Sequence, residues 1–389
     1  MLTVWWCVAA AQCVALGELL TRLAPGRSRR PRVIPGAALA VEPPVTILVA
    51  TLNEARRIGP CLEGLARQAR LVREILVIDS HSTDGTRELV VAAAARDPRI
   101  RLLTDPPLPP GWVGKVWALQ YGLAHATGEW ILGVDADIAP HAGLAGGAIA
   151  AAQALGYDVC SFSPRFVITS AAEQWLQPAL LVTLVYRCGA VGMESPPPER
   201  VLANGQCFLA RRHVLEAHGG YVLAANSLAD DVTLARALAT RGVRVGFLDG
   251  SALYAVRSYA SMREAWREWG RSLDLKDATS RPRQWGDVAM LLLAQALPLP
   301  MLLLLGSTAA RAAVGAPAWI ALCAVNAVFA LVRLAVLGAL RGSYEQPMWR
   351  SGFRRSRIPR RWYESLSPRC AGAASGAVAS TRDGVGTLR

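Results

Sequence analysis

The chain has 389 residues, 52% of them hydrophobic, enough for one large core together with membrane-crossing helices. Its formal net charge of +13 concentrates at two places, five arginines against Glu42 in residues 22–44 and ten against three acids in residues 341–389. The stretch between is nearly neutral, which argues against a basic groove for nucleic acid, and eight cysteines without C-x-x-C spacing argue against zinc or a disulfide scaffold.

Residues 1–24 form the first element, built on an apolar run over 2–20 of roughly one bilayer thickness that Gln12 and Glu18 interrupt. Positive charge follows this run instead of preceding it, which favours an N-terminal transmembrane anchor over a signal peptide. Residues 25–44, rich in Pro, Arg and Gly, make a basic linker. A soluble domain is expected over residues 45–258. It opens with a β-branched strand, VTILVA (45–50), ending at Thr51-Leu52-Asn53-Glu54, and a helical pattern over 55–70. A second strand, EILVID (74–79), ends at Asp79, and a helix over 87–96 follows. This β–loop–α order predicts a mostly parallel, doubly wound sheet of the α/β class.

Ligands of such sheets sit outside the carboxyl ends of the strands. Asp79 at a strand end can therefore accept from a base N–H or a ribose hydroxyl, with the Asn53-Glu54 loop beside it. Asp84-Gly85 makes either a turn with a helix cap or a ligand contact. Neither strand is followed by G-x-G-x-x-G or by a Walker A loop, which counts against dinucleotide dehydrogenases and P-loop NTPases.

A Pro-rich loop and a helix over about 116–126 lead to EWILGVDADIAP (129–140), a buried strand running into Asp135 and Asp137. On a locally extended chain these carboxylates point to one side. They suit a hard divalent cation that keeps waters and substrate phosphates; an acidic turn is the plain alternative. Lys115 is one of only two lysines against forty arginines, and in such a chain a lysine at a helix start suits a compact point charge on a diphosphate.

Beyond the D-x-D, residues 175–193 form an apolar helix holding Gln177, Pro178 and Arg187, either interfacial and acceptor-lining or ordinary core. NGQCFLARR (204–212) predicts a strand and its exit, HGGY (218–221) a turn, and VRVGFLDG (243–250) a late strand. Asp230 and Asp231 start an amphipathic helix over 228–242, as an N-cap pair or as catalytic carboxylates. Residues 259–284 place Trp266 and Trp269 among arginines, as an interfacial amphipathic segment does.

Residues 285–341 hold two more transmembrane helices, the first kinked at Pro298 and Pro300, giving about three spans in all. Asn326 and Arg333 are costly in lipid and should face protein. The arginine-rich flanks predict a multi-pass inner-membrane protein with the soluble domain in the cytoplasm. Residues 342–389 are a basic tail.

Four stretches carry a family resemblance: VTILVATLNEA, EILVIDSHSTDGT, GKVWALQYGLAHATGEWILGVDAD and LADDVTLARAL. In this order they resemble the family 2 glycosyltransferases of GT-A fold, and PPLPPGWVGKVWAL is similar to the membrane-bound branch associated with hopanoids and carotenoids. Ala50 and Ser80 stand where that family often has Pro and a second Asp. The resemblance implies a GT-A nucleotide-sugar-binding domain and an inverting enzyme that moves one sugar from a nucleotide-diphosphate sugar to a lipid hydroxyl at the membrane. It implies Mg²⁺ or Mn²⁺ on Asp137 with Asp135 assisting. Asn53, Glu54, Asp79, Lys115 and Asp135 bind the nucleotide sugar, and Asp231 is the general base flanked by Asp230. A polyprenyl-phosphate sugar synthase and a non-catalytic membrane partner are the alternatives. The tail departs from the branch's pattern, which suggests a shifted reading frame beginning between about residues 343 and 351.

Overall fold

The computed structural model describes residues 2–36, 42–168, 171–194, 196–257 and 275–345. Helix α1 (Leu2–Leu23) precedes strand β1 (Val45–Thr51), α2 (Ile58–Ala66), β2 (Val72–Asp79), α3 (Thr86–Ala94), β3 (Ile100–Thr104), α4 (Gly114–His125), β4 (Trp130–Asp135) and β5 (Ile138–Pro140). Then come α5 (Leu144–Leu155), β6 (Val159–Ser163), β7 (Arg165–Val167), α6 (Ala171–Cys188), β8 (Cys207–Arg211), α7 (Arg212–Ala217), α8 (Asp230–Thr240), β9 (Val245–Asp249) and β10 (Tyr254–Arg257). The C-terminal helices are α9 (Arg281–Leu291), continued by a π-helical turn (Leu292–Ala296), α10 (Pro298–Leu305), α11 (Thr308–Val314) and α12 (Ala316–Leu340).

The central sheet has the order β3-β2-β1-β4-β8-β6-β9, flanked by a small β5-β10-β7 sheet. The expected parallel sheet is present from β3 through β4, where all pairings are parallel. β8 breaks the pattern by running antiparallel to both β4 and β6. It follows the long excursion through α6 and enters the sheet from the opposite end.

Strand residues alternate between two cores, as a period of two requires. Ile47, Val49, Ile75, Val77 and Leu132 face α2, α3 and α5. Leu48, Leu76, Ile78 and Ile131 face α4 and α8. α4 lies so close to the sheet that a Cβ on Gly122 would stand 2.8 Å from Ile78 Cδ1. That closeness fixes where the helix, and Lys115 at its first turn, sit relative to the strand ends.

Among the described residues two helices are long and apolar enough to cross a membrane, Thr3–Ser28 and Ala316–Ser343, and a bent pair, Arg281–Ala296 with Pro298–Leu305, makes a third candidate. The bend of 42° falls at Leu297, ahead of the two prolines that the sequence marked as a kink. Gln12, Asn326 and Arg333 of these helices have polar partners. Gln12 and Asn326 exchange side-chain amide hydrogen bonds of 2.8 and 2.9 Å, and Arg333 donates toward Gln295 O at 3.4 Å. α6 packs Val182 and Tyr186 against Leu19, Met290 and Phe329. The helix runs over Ala171–Cys188 instead of 175–193 and packs against the candidate membrane helices, not into the cores of the sheet. Trp266 and Trp269, expected to be interfacial, and the tail after Glu345 lie outside the described residues.

Candidate active site

The carboxyl ends of β1, β2 and β4 meet the start of α4 and the start of α8, and these carry the candidate residues. The loops after β1 and β2 are tied together. Asn53 N–H donates to Ser82 Oγ (2.8 Å), Thr83 N–H to Asn53 Oδ1 (2.9 Å), Glu54 N–H to Thr86 Oγ1 (2.9 Å) and Ala55 N–H to Asp84 Oδ2 (3.0 Å). Asn53 and His81 hold left-handed backbone, φ 59° and 61°, which asparagine tolerates better than most residues. Asp84 also accepts from Thr86 N–H at 3.1 Å, which forms the expected turn, while the N-cap of α3 is Gly85 without a side-chain cap bond.

Asp79 is fully buried beneath these loops. It accepts from Thr51 Oγ1 (3.2 Å), Ser82 N–H (3.0 Å) and Arg87 Nη1 (2.9 Å). Both oxygens are thus occupied by the chain itself. A strand-end position predicted a carboxylate open to ligand; here it organises the loop that a ligand would meet.

The D-x-D carboxylates also differ from expectation. β4 ends at Asp135 and a turn follows, so the chain is not extended across the pair, while the two charges still act on each other. Asp135 Oδ1 accepts from Lys115 Nζ at 2.7 Å. Asp137 instead lies 3.9 Å from Arg57, which is 3.7 Å from Glu54. Asp137 Oδ1 and Glu54 Oε2 are buried without hydrogen-bond partners. Burial, and then the Asp135 charge, pushes the Asp137 carboxyl up to about 6 against the pull of Arg57 and Lys115. Glu54 is raised for the same first reason, with Arg57 opposing and Asp137 adding.

Asp230 and Asp231 occupy the first turn of α8, whose N-cap is Ala229, so neither is the cap that helix propensity suggests. Asp231 Oδ2 accepts Gly205 N–H at 2.6 Å and its Oδ1 accepts Val232 N–H at 2.7 Å. A Cβ on Gly205 would stand 3.0 Å from Lys115 Nζ and 3.5 Å from Asp231 Cβ, so glycine allows this close approach. Burial and the neighbouring Asp230 push the Asp231 carboxyl up to about 7, against Lys115. Asp230 is also raised, by burial first. Burial works against the Lys115 charge, but Asp135, Asp230 and Asp231 outweigh it and hold the ammonium above its ordinary range.

These groups line one hollow of about 360 Å³ including its open mouth, with Lys115, Asp135, Gly205, Tyr221, Asp230 and Asp231 on its wall. The structure thereby brings together Lys115, Asp135, Asp230 and Asp231. It places Glu54 and Asp137 at the adjoining rim, and folds Asn53 and Asp79 into the loop scaffold. Sequence reasoning missed Arg57, Gly205 and Tyr221. The spacing of Arg57 three residues after Glu54 was a usable signal for the first; only the fold brings the other two to the site.

Among the described residues no three His, Cys, Asp or Glu side chains converge as a ready metal cage. The donor set nevertheless fits a hard cation that keeps water and phosphate oxygens, since Asp135 and Asp137 supply carboxylates and Asp137 Oδ1 lacks a partner.

Residues 46–219 match the family model described as Glycosyl transferase family 2. A dolichyl-phosphate beta-glucosyltransferase, ALG5C, of Trichomonas vaginalis is 40% identical over 100 residues, 24% of this chain and 28% of that protein. A lipopolysaccharide core biosynthesis glycosyltransferase, LpsC, of Rhizobium meliloti is 34% identical over 94 residues, 24% of this chain and 32% of that protein. The chain thus matches less than a third of either relative's length. Mannosyltransferase PcManGT from Pyrobaculum calidifontis, solved with GDP-Man and Mn²⁺, has a TM-score of 0.52 at 23% identity, over 87% of this chain and 98% of its own. That likeness is one of fold.

Proposed function

With a family 2 glycosyltransferase domain of GT-A fold over residues 46–219 as the premise, we propose that this chain is a membrane-anchored inverting transferase. It moves one sugar from a nucleotide-diphosphate donor to a hydroxyl of a membrane lipid, of carotenoid or hopanoid type as the sequence resemblance implies. One observation carries the reading: Asp231, a carboxylate raised to about 7, shares a hollow with Lys115 and Asp135.

Displacement at a sugar C1 needs a nearby base to take the acceptor's proton, and a base is most effective with a pKa near the working pH. Burial and the Asp230 charge raise the Asp231 carboxyl in that direction. Its Gly205 N–H and Val232 N–H bonds fix the carboxylate's orientation before substrate arrives. Lys115 supplies positive charge toward the diphosphate side while Asp135 keeps it in place. Asp137, with Asp135, would hold Mg²⁺ or Mn²⁺, which when bound neutralises the leaving diphosphate. The interlocked loops 51–55 and 80–86 receive the nucleoside, with Glu54 facing the site and Asn53 and Asp79 holding the loops' shape.

The candidate spans Thr3–Ser28 and Ala316–Ser343, with arginine-rich flanks, support a multi-pass seat in the inner membrane and a cytoplasmic catalytic domain. The likeness to a dolichyl-phosphate glucosyltransferase favours a second reading, in which the acceptor is a polyprenyl phosphate and needs no base. The test is to incubate the full chain in lipid with Mn²⁺ and a panel of nucleotide-diphosphate sugars, then weigh the lipids. A gain of one sugar on a neutral lipid supports the proposal. A gain on polyprenyl phosphate supports the second reading, and no transfer with any donor rejects both.

A further inference from the structure

Helix α8 is gripped from the side away from the hollow by a buried arginine. Arg236 follows Asp231 on the helix and is only 8% exposed. Its Nε donates to Val201 O (2.9 Å), its Nη1 to Ala278 O (2.8 Å) and Thr279 Oγ1 (3.0 Å), and its Nη2 approaches Cys188 Sγ at 3.8 Å. These partners lie at the end of α6, on the chain leading to Gly205, and on the turn Lys276–Ala278 that precedes α9. A buried guanidinium is tolerated only when its donors are met, and its rigid fork holds several partners at fixed angles at once.

The same turn holds α8 a second time. Asp277 Oδ2 accepts Leu228 N–H (2.9 Å) and Ser227 Oγ (3.3 Å), just ahead of the helix, and Ser227 Oγ lies 2.8 Å from Thr233 Oγ1. Residues 275–280 are therefore a strap fastened to the lead and the middle of α8, and they continue directly into α9 of the bent apolar pair. One layer further, Asp287 of α9 accepts from Arg187 (3.0 Å), next to Cys188, and from Arg22 of α1 (3.1 Å). A continuous series of buried polar contacts joins α1, α9 and α6 to the helix that carries Asp231.

We infer that Arg236 is a positioning residue, which sets the rotation of α8 and so the aim of the Asp231 carboxylate from the strap leading into the apolar helices. The inference rests on Asp231 being the base of the proposed transfer. How the apolar helices are seated thereby governs how well the hollow is assembled.

The test uses the full chain in lipid, with Mn²⁺ and the donor and lipid that the unaltered protein accepts, comparing Arg236→Gln and Arg236→Lys. Misaiming a catalytic group by about 1 Å can cost about 10²-fold, and Arg236→Gln is expected to lower kcat on that scale. Binding of the nucleoside diphosphate, measured by calorimetry, stays unchanged. The acid limb of kcat moves, because Asp231 shifts relative to Asp230 and Lys115, the charged groups that face it. Arg236→Lys recovers part of the rate, as does added guanidinium with Arg236→Gln. If Arg236→Gln does not fold, Asp277→Asn loosens the other fastening and is expected to give the same loss in kcat alone. Folded variants with unchanged kcat, or a loss matched in nucleotide affinity with an unmoved pH limb, overturn the inference. An unaltered protein inactive on every donor instead overturns the functional reading beneath it.

Discussion

The hollow and its rim are built from the same residue types and differ in how far they are finished. In the hollow Lys115 holds Asp135 at 2.7 Å, and Asp231 accepts a backbone N–H at 2.6 Å. At the rim Arg57 stands 3.7 and 3.9 Å from Glu54 and Asp137, and both carboxylates keep a buried oxygen without a partner. On the proposed function, the difference separates a part that works by preorganisation from a part that a ligand completes. Orienting a base before substrate arrives contributes to rate, whereas unmatched buried carboxylate oxygens are costly until a cation meets them.

The largest expected effect breaks the finished side. Asp231→Asn keeps the shape but cannot take a proton, and loss of a general base costs about 10²–10⁴-fold in rate. Transfer to a hydroxyl acceptor should fall on that scale while nucleotide binding persists. Turnover that survives the change would favour the phosphate acceptor. Next, Lys115→Met leaves Asp135 without its cation and takes charge from the diphosphate side. Removing one preorganised electrostatic partner costs about 10²–10³-fold in kcat, and a change of only a few-fold would mean that Lys115 serves the fold alone.

The third expectation is a pH profile. Burial and Asp230 raise the Asp231 carboxyl to about 7. The group must be ionised to act, so kcat/KM should climb about tenfold per pH unit below that value and level off above it. An acid limb near the ordinary aspartate value would place the base elsewhere. The smallest effect belongs to the rim. Asp137→Asn should weaken Mn²⁺ binding, followed by paramagnetic resonance without substrate, and abolish the rise in thermal stability that the ion gives by mass action. Equal Mn²⁺ affinity in both proteins would remove Asp137 from the cation site.

The same contrast marks what the sequence could tell. β1, β2 and β4 were legible because VTILVA, EILVID and WILGVD are apolar runs bounded by polar loops. Lys115 was legible because a lysine is rare in this chain. The antiparallel entry of β8 was not, since strand direction depends on where a long excursion returns. Nor was the fate of Asp79, because a strand-end position does not tell whether Ser82, Thr51 and Arg87 will occupy its oxygens. Alternation along a strand cannot anticipate the turn that follows Asp135, and Gly205 meets Lys115 and Asp231 only in three dimensions.

A structure of the chain with Mn²⁺ and a nucleoside diphosphate, with the ion located by its anomalous signal, tests the central claim most directly. The account predicts the ion on Asp137, the terminal phosphate within reach of Lys115, and Asp231 facing the side where the sugar would stand. A nucleotide bound elsewhere on the domain, with Lys115 and Asp135 still paired and no ion on Asp137, would contradict it.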